Sequence, residues 1–151
     1  MKTIRETPPA GKLVIFDMDG TLTPHRPSST TPFERRLCAG VAERIRELRG
    51  MGYQLAVATN QGGVKRGFPI EEVEAQLAWV SEMLGITVWR YAVEEEDKKP
   101  NPRMLLELLA EFGVIPADAV MVGDSASDRQ AAEAAADAFV HVRDFIEYGI
   151  G

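Results

Sequence analysis

The sequence predicts an α/β fold: a doubly wound parallel sheet of about five strands, with helices on both faces and no large cap domain. Three observations carry this expectation. Leu13-Val14-Ile15-Phe16 is an unbroken apolar run, the pattern of a strand buried on both faces. Short runs of this kind alternate along the chain with longer stretches whose apolar residues recur every three or four positions. The chemically distinctive residues, Asp17 with Asp19, Thr59, Lys98 with Lys99, and Asp124 with Asp128, all fall where strands end. In such sheets ligands bind beyond the carboxyl ends of the strands, where the winding reverses.

The elements follow in order. After the first strand, Gly20 turns the backbone into a loop rich in Pro, Ser and Thr. Thr31-Pro32-Phe33-Glu34 reads as a helix start, and Phe33, Leu37, Val41, Ile45 and Leu48 form one apolar stripe that ends at Gly50 and Gly52. Tyr53 to Thr59 is the second strand, and Asn60 to Pro69 is a glycine-rich basic loop. A second helix carries Val73, Leu77, Val80 and Leu84 and stops at Gly85. Ile86 to Val93, rich in β-branched and aromatic residues, is the third strand. A charged loop from Glu94 to Asn101 precedes a third helix with Met104, Leu105, Leu108, Leu109 and Phe112. Ala119 to Gly123 is a short buried strand, followed by an alanine-rich helix with Ser127 and Gln130 at capping-box spacing. Ala138 to Val142 closes the sheet as a fifth strand.

At 151 residues the chain has the size of one domain, and 45% hydrophobic with 26% charged residues is an ordinary globular composition. Residues 1–11, with two prolines and no periodic apolar pattern, read as a loosely ordered lead-in. No apolar stretch reaches membrane-span length and no signal-peptide core stands near the start, so no membrane partner is expected. Cys38 is the only cysteine, which excludes an intrachain disulfide and fits a cytoplasmic setting. The net charge of −6 disfavours non-specific binding to nucleic acid or anionic membranes. Lys65, Arg66, Lys98 and Lys99 nevertheless fall in loops at the same edge, a locally positive mouth suited to a small or medium-sized anionic substrate.

Asp17-Met18-Asp19-Gly20-Thr21 carries the sharpest chemistry. Two carboxylates two positions apart at the tip of a buried strand repel one another and are costly to hold without a cation. A hard divalent ion with oxygen ligands, magnesium foremost, relieves that cost. A surface turn would use the same residue types, but the string is no EF-hand loop, because Gly stands fourth and Thr fifth. His25 and His141 have no ligand partners at metal spacing and read as packing or surface residues; Trp79 and Trp89 read as core or interface.

Four strings resemble the ordered motifs of the haloacid dehalogenase superfamily: Asp17-Met18-Asp19-Gly20-Thr21, Thr59-Asn60-Gln61-Gly62-Gly63-Val64, Lys99-Pro100-Asn101-Pro102 and Gly123-Asp124-Ser125-Ala126-Ser127-Asp128. The resemblance runs from about residue 12 to 142, and Thr-Asn-Gln-Gly with Lys-Pro-x-Pro points to the branch of small phosphatases acting on histidinol phosphate, heptose bisphosphate and polynucleotide ends. It implies a magnesium-dependent phosphomonoester hydrolase with Asp17 as nucleophile and Asp19 as general acid and base. Asp17, the Asp19 backbone carbonyl and Asp124 would hold the metal. Thr59 and Lys99 would bind the transferring phosphoryl, and Asp128 would orient Lys99 or a metal-bound water. Gly20, Thr21, Asn60, Gln61, Lys65, Arg66 and Lys98 are the expected substrate contacts, although Lys98 also reads as a solvated charge offsetting Glu94 to Asp97. These types suit the reaction: covalent catalysis divides a hard displacement, and a metal and a lysine neutralise the phosphoryl oxygens.

Two departures from the family pattern bear on substrate. The heptose enzymes often carry a zinc-holding Cys/His loop before the Lys-Pro motif, whereas Arg90 to Lys98 contains neither residue, so no zinc is expected. Met18 stands where histidinol-phosphate and heptose enzymes tend to have arginine. The intervals between motifs are too short for a separate cap, so the site should be open unless the loop from Leu22 to Thr30 or another subunit covers it. A small phosphorylated sugar or amino alcohol is the expected substrate, with a polynucleotide 3′-phosphate as the alternative. A phosphoryl-receiving signalling domain fits less well, because its accepting aspartate would end the third strand, where Val93 leads into Glu94.

Overall fold

The computed structural model describes residues 12–136 and 138–150. The expected lead-in, residues 1–11, lies outside the described residues. Five parallel strands, β1 (Leu13–Phe16), β2 (Gln54–Asn60), β3 (Val88–Ala92), β4 (Ala119–Gly123) and β5 (Ala138–His141), form one sheet in the order β3-β2-β1-β4-β5. The helices are α1 (Val41–Gly50), α2 (Ile70–Leu84), α3 (Arg103–Phe112), α4 (Ala126–Ala135) and α5 (Val142–Tyr148).

The unbroken apolar run of β1 is explained by its central place. Val14 and Phe16 pack into a cluster with Val41, Ile45 and Leu48 of α1, Val73 and Leu77 of α2, and Phe145 of α5. Leu13 and Ile15 face the other way, into a cluster with Leu105 and Leu108 of α3 and Ala131 and Ala132 of α4. Both faces of the sheet are therefore covered, as the alternation of elements requires. Because β2 and β4 flank β1 on opposite sides, the chain reverses its winding there, and the loops after β1 and β4 open a crevice.

Two local expectations are corrected. The stripe beginning at Phe33 does not continue one helix: α1 starts only at Val41, after Gly40 at φ 85, a conformation that residues with a Cβ avoid. Phe33 and Leu37 still pack against the core, but from an irregular segment whose Cys38 N–H donates to the Leu22 carbonyl at 2.8 Å. The cap of α4 is Ser125, not Ser127: its hydroxyl accepts from the Asp128 N–H while Asp128 reaches back to the Ser125 N–H. A final helix, α5, follows the last strand beyond the expected elements; Val142 and Phe145 bury its inner side. His141 caps it, accepting the Arg143 N–H on Nδ1.

Candidate active site

The loops after β1, β2 and β4, together with the one before α3, meet over the crevice. A cavity of about 320 Å³ is lined by Asp17, Asp19, Thr59, Asn60, Lys99, Asp124 and Asp128, and on its outer side by residues 25–29. Asp17 continues β1, its N–H donating to the Val122 carbonyl at 3.0 Å, which sets it level with the end of β4. Gly20 turns the chain at φ 80, and a Cβ there would collide with Oδ2 of Asp124. That close approach lets the carboxylate after β4 sit against the turn after β1.

Lys99 is the electrostatic centre. Its ammonium is almost wholly buried and donates to Asp17 Oδ1 at 3.1 Å, Asp128 Oδ1 at 2.7 Å and the Ala58 carbonyl at 2.7 Å. Three donors meet three acceptors, so a buried charge is fully satisfied. Asn60 brackets the same residue, donating to the Lys99 carbonyl and accepting the Lys99 N–H, both at 2.9 Å. Asp128 is equally committed: its other oxygen accepts the N–H groups of Asp124 and Ser125 at 3.1 and 3.2 Å.

Burial pushes the Asp17 carboxyl up to about 8; Lys99 opposes the shift, and the charges of Asp128 and Asp124 reinforce it. For Lys99, burial works against the charge, but Asp17 and Asp128 outweigh it and hold the ammonium above the usual lysine value. Asp17, Asp124 and Asp128 offer carboxylate oxygens within 4.8 Å of one another. With Asp128 committed to Lys99 and to two amides, Asp17 and Asp124 are the pair suited to a cation, and their hard oxygen donors fit magnesium.

Thr59 is buried and accepts from Gln61 Nε2 at 3.0 Å, which leaves its own O–H to donate into the cavity. Gln61 is itself buried and absent from the cavity wall; its Nε2 donates to Thr59 and Asp19. Thr21 is buried with no hydrogen-bond partner on its hydroxyl among the described residues, and Gly20 serves the turn; neither lines the cavity. The expected basic mouth is dispersed. Lys65 pairs with Glu94, Arg66 donates to Ser29, and Lys98 meets Glu95 at 2.6 Å, all three off the cavity wall.

Arg26, which carries no periodic or motif signal in its Pro-rich loop, proves to be the second buried cation of the site. It donates to Asp19 Oδ2 at 2.9 Å and to Gln61 Oε1 at 2.8 Å. The loop from Leu22 to Thr30 accordingly forms part of the wall, with His25 exposed at its rim. Cys38 is partly buried, and no helix among the described residues is long and apolar enough to cross a membrane.

A buried aspartate at the tip of the central strand, a lysine against it, and further carboxylates where β4 passes into α4 make up a site suited to phosphoryl transfer. The chain belongs to the haloacid dehalogenase-like hydrolase family, whose family model matches residues 31–136. It is 32% identical over 145 residues to the D-glycero-β-D-manno-heptose-1,7-bisphosphate 7-phosphatase of Rhodopseudomonas palustris, covering 84% of this chain and 81% of the relative. The enzyme of the same name from Haemophilus influenzae is 32% identical over 137 residues, covering 80% and 74%. The fold matches the crystal structure of D,D-heptose 1,7-bisphosphate phosphatase from B. bronchiseptica, complexed with magnesium and phosphate, at a TM-score of 0.73 and 26% identity, over 85% of this chain and 78% of that one. The present chain is thus a phosphatase by class.

Proposed function

We propose that this chain is a magnesium-dependent phosphomonoesterase acting on a small phosphorylated sugar through an aspartyl-phosphate on Asp17. The observation that carries the reading is the contact of Asp17 with a fully satisfied Lys99, beside Asp124 at the cavity floor. The relatives named for a heptose bisphosphate support the sugar class. A cavity of about 320 Å³ is of a size for one small ligand.

In the first step Asp17 attacks phosphorus, the bond from phosphorus to the leaving oxygen breaks, and Asp19 passes a proton to that oxygen. As Asp17 Oδ1 turns to phosphorus it releases one Lys99 N–H, which with the Thr59 hydroxyl binds the phosphoryl oxygens and neutralises the charge that spreads over them. In the second step Asp19 takes a proton from water as it attacks phosphorus, and the bond to Asp17 breaks to release inorganic phosphate. Asp128 orients Lys99 from behind. Magnesium, held by Asp17, Asp124 and the Asp19 backbone carbonyl, would supply further charge neutralisation and keep Asp17 ionised.

The test is a panel of sugar phosphates, including heptose 1,7-bisphosphate, with amino-alcohol phosphates and 3′-phosphate oligonucleotides as comparators, assayed with and without magnesium. Turnover of sugar phosphates that needs magnesium and is abolished in a folded Asp17→Asn variant is the expected result. Retained turnover in that variant would remove Asp17 from the nucleophile's role, and exclusive turnover of oligonucleotides would overturn the substrate class.

A further inference from the structure

The guanidinium of Arg26 sits under the strap that joins β1 to α1. Its side chain is 6% exposed and its Cζ lies 3.9 Å from the centroid of the Phe33 ring, which in turn packs edge-on against Phe68. Nη1 donates to the carbonyls of Ser29 at 3.2 Å and Thr31 at 2.8 Å. Those two bonds tie the strap. The other two turn toward the site: Nη2 donates to Asp19 Oδ2 at 2.9 Å and to Gln61 Oε1 at 2.8 Å. Gln61 Nε2 closes the figure, donating to the same Asp19 oxygen and to Thr59 Oγ1, each at 3.0 Å.

The consequence falls on Asp19. Its Oδ2 receives two donors from two separate segments, while Oδ1 is buried with no hydrogen-bond partner among the described residues. An arginine whose only task was to hold the strap would end at the two carbonyls. One whose task was to grip an anion would keep its donors free, yet only Nε is without a partner here, and it is buried.

We propose that Arg26 is a positioning residue for proton transfer: with Gln61 it pins the Asp19 carboxyl by Oδ2 and so fixes the orientation from which Asp19 passes its proton to the leaving oxygen. This rests on the phosphomonoesterase reading above. In that step the Asp17–phosphorus bond forms, the bond to the leaving oxygen breaks, and the proton moves from Asp19 to the departing alcohol. Lysine cannot replace the arginine, because one ammonium cannot span two carbonyls on one side and two side-chain acceptors on the other.

The readout is the dependence of kcat/KM on the leaving group, since an alkoxide must be protonated to depart whereas 2,4-dinitrophenolate need not. Wild type, Arg26→Lys and Gln61→Leu are compared on an alkyl phosphate, p-nitrophenyl phosphate and 2,4-dinitrophenyl phosphate. Arg26→Lys should lose roughly 10–100-fold on the alkyl phosphate and less than about threefold on the dinitrophenyl ester, as a displaced general acid requires. Gln61→Leu should steepen the dependence in the same direction. Equal losses across the series, or a rise in KM alone, would overturn the proposal. If Arg26→Lys does not fold by circular dichroism, the Gln61→Leu series decides, and an unaltered slope there overturns it equally. Asp17→Asn separates this proposal from the reading it rests on: turnover surviving in that variant sinks the phosphoenzyme route whatever the slopes show.

Discussion

Replacing Asp17 with Asn should change how the stability of the magnesium-free protein depends on pH, and the sign follows from burial. The carboxyl is raised from 3.8 to about 8 in the fold. A group whose folded value lies above its unfolded value contributes stability that is complete below about pH 4 and is lost as pH rises through 8. Between pH 5 and pH 8 the unfolded chain has given up this proton while the folded chain largely retains it. At 1.36 kcal/mol per unit, that window weakens the wild type by roughly 4 kcal/mol through this one group. Lys99 remains cationic throughout, because its own value is raised. Asparagine has no proton to lose, so the variant escapes the penalty.

The assay is urea unfolding in EDTA at pH 5, 6, 7 and 8. The stability of Asp17→Asn relative to wild type should climb steadily across the series, by a few kcal/mol in total. Adding magnesium at pH 8 should stabilise the wild type and leave the variant nearly unmoved, since the ion favours the ionised carboxyl that only the wild type possesses. Parallel curves for the two proteins between pH 5 and pH 8 would refute the idea that Asp17 is held against its charge.

Lys99→Met leaves the buried Asp128 carboxylate without its cation and Asp17 without a donor, so it should cost about 3–5 kcal/mol at pH 7 in urea unfolding. Turnover of any accepted sugar phosphate should fall by roughly 10²–10³-fold in the same variant, as expected when a donor to the transferring group is removed. Gly20→Ala forces a Cβ against Asp124 Oδ2 and places it at φ 80. It should destabilise by about 1–2 kcal/mol and raise the magnesium concentration needed for half-maximal activity; an unchanged magnesium requirement would show that Asp124 does not hold the ion.

The parts of the site written as short local strings were legible in the sequence. Asp17 and Asp19 follow an apolar run, Lys99 lies between charged residues and Pro100, and Asp124 follows β4; the alternation of elements then carries all of them to one edge. What escaped was set by tertiary contact. Arg26 sits among Pro24, His25 and Pro27, where no period marks it, and its role appears only when Gln61, 35 residues on, arrives beside it. The same distance effect hides the true course of residues 31–40, whose helical spacing serves packing against Phe68 and the core while Gly40 breaks the helix. Lys65, Arg66 and Lys98 stand close to the motifs along the chain, yet each finds a nearer partner on the surface.

The charge balance of the cavity links the lysine and the arginine to the place where a metal ion would fit. The wall brings Asp17, Asp19, Asp124 and Asp128 together with Lys99 and Arg26, so four carboxylates face two cations and the formal charge is −2 when all are ionised. Each cation answers particular oxygens: Lys99 serves Asp17 and Asp128, and Arg26 serves Asp19. Asp124 alone of the four takes no ion pair among the described residues, and it is the one set against the Gly20 turn beside Asp17. The surplus charge is therefore concentrated between Asp17 and Asp124, where one divalent cation would cancel it. Without that cation the cheapest remedy is a proton on Asp17, the group whose value is raised to about 8. On the proposed mechanism a proton there would also block the oxygen that attacks phosphorus, so a need for a cation and a latent Asp17 would have one electrostatic cause.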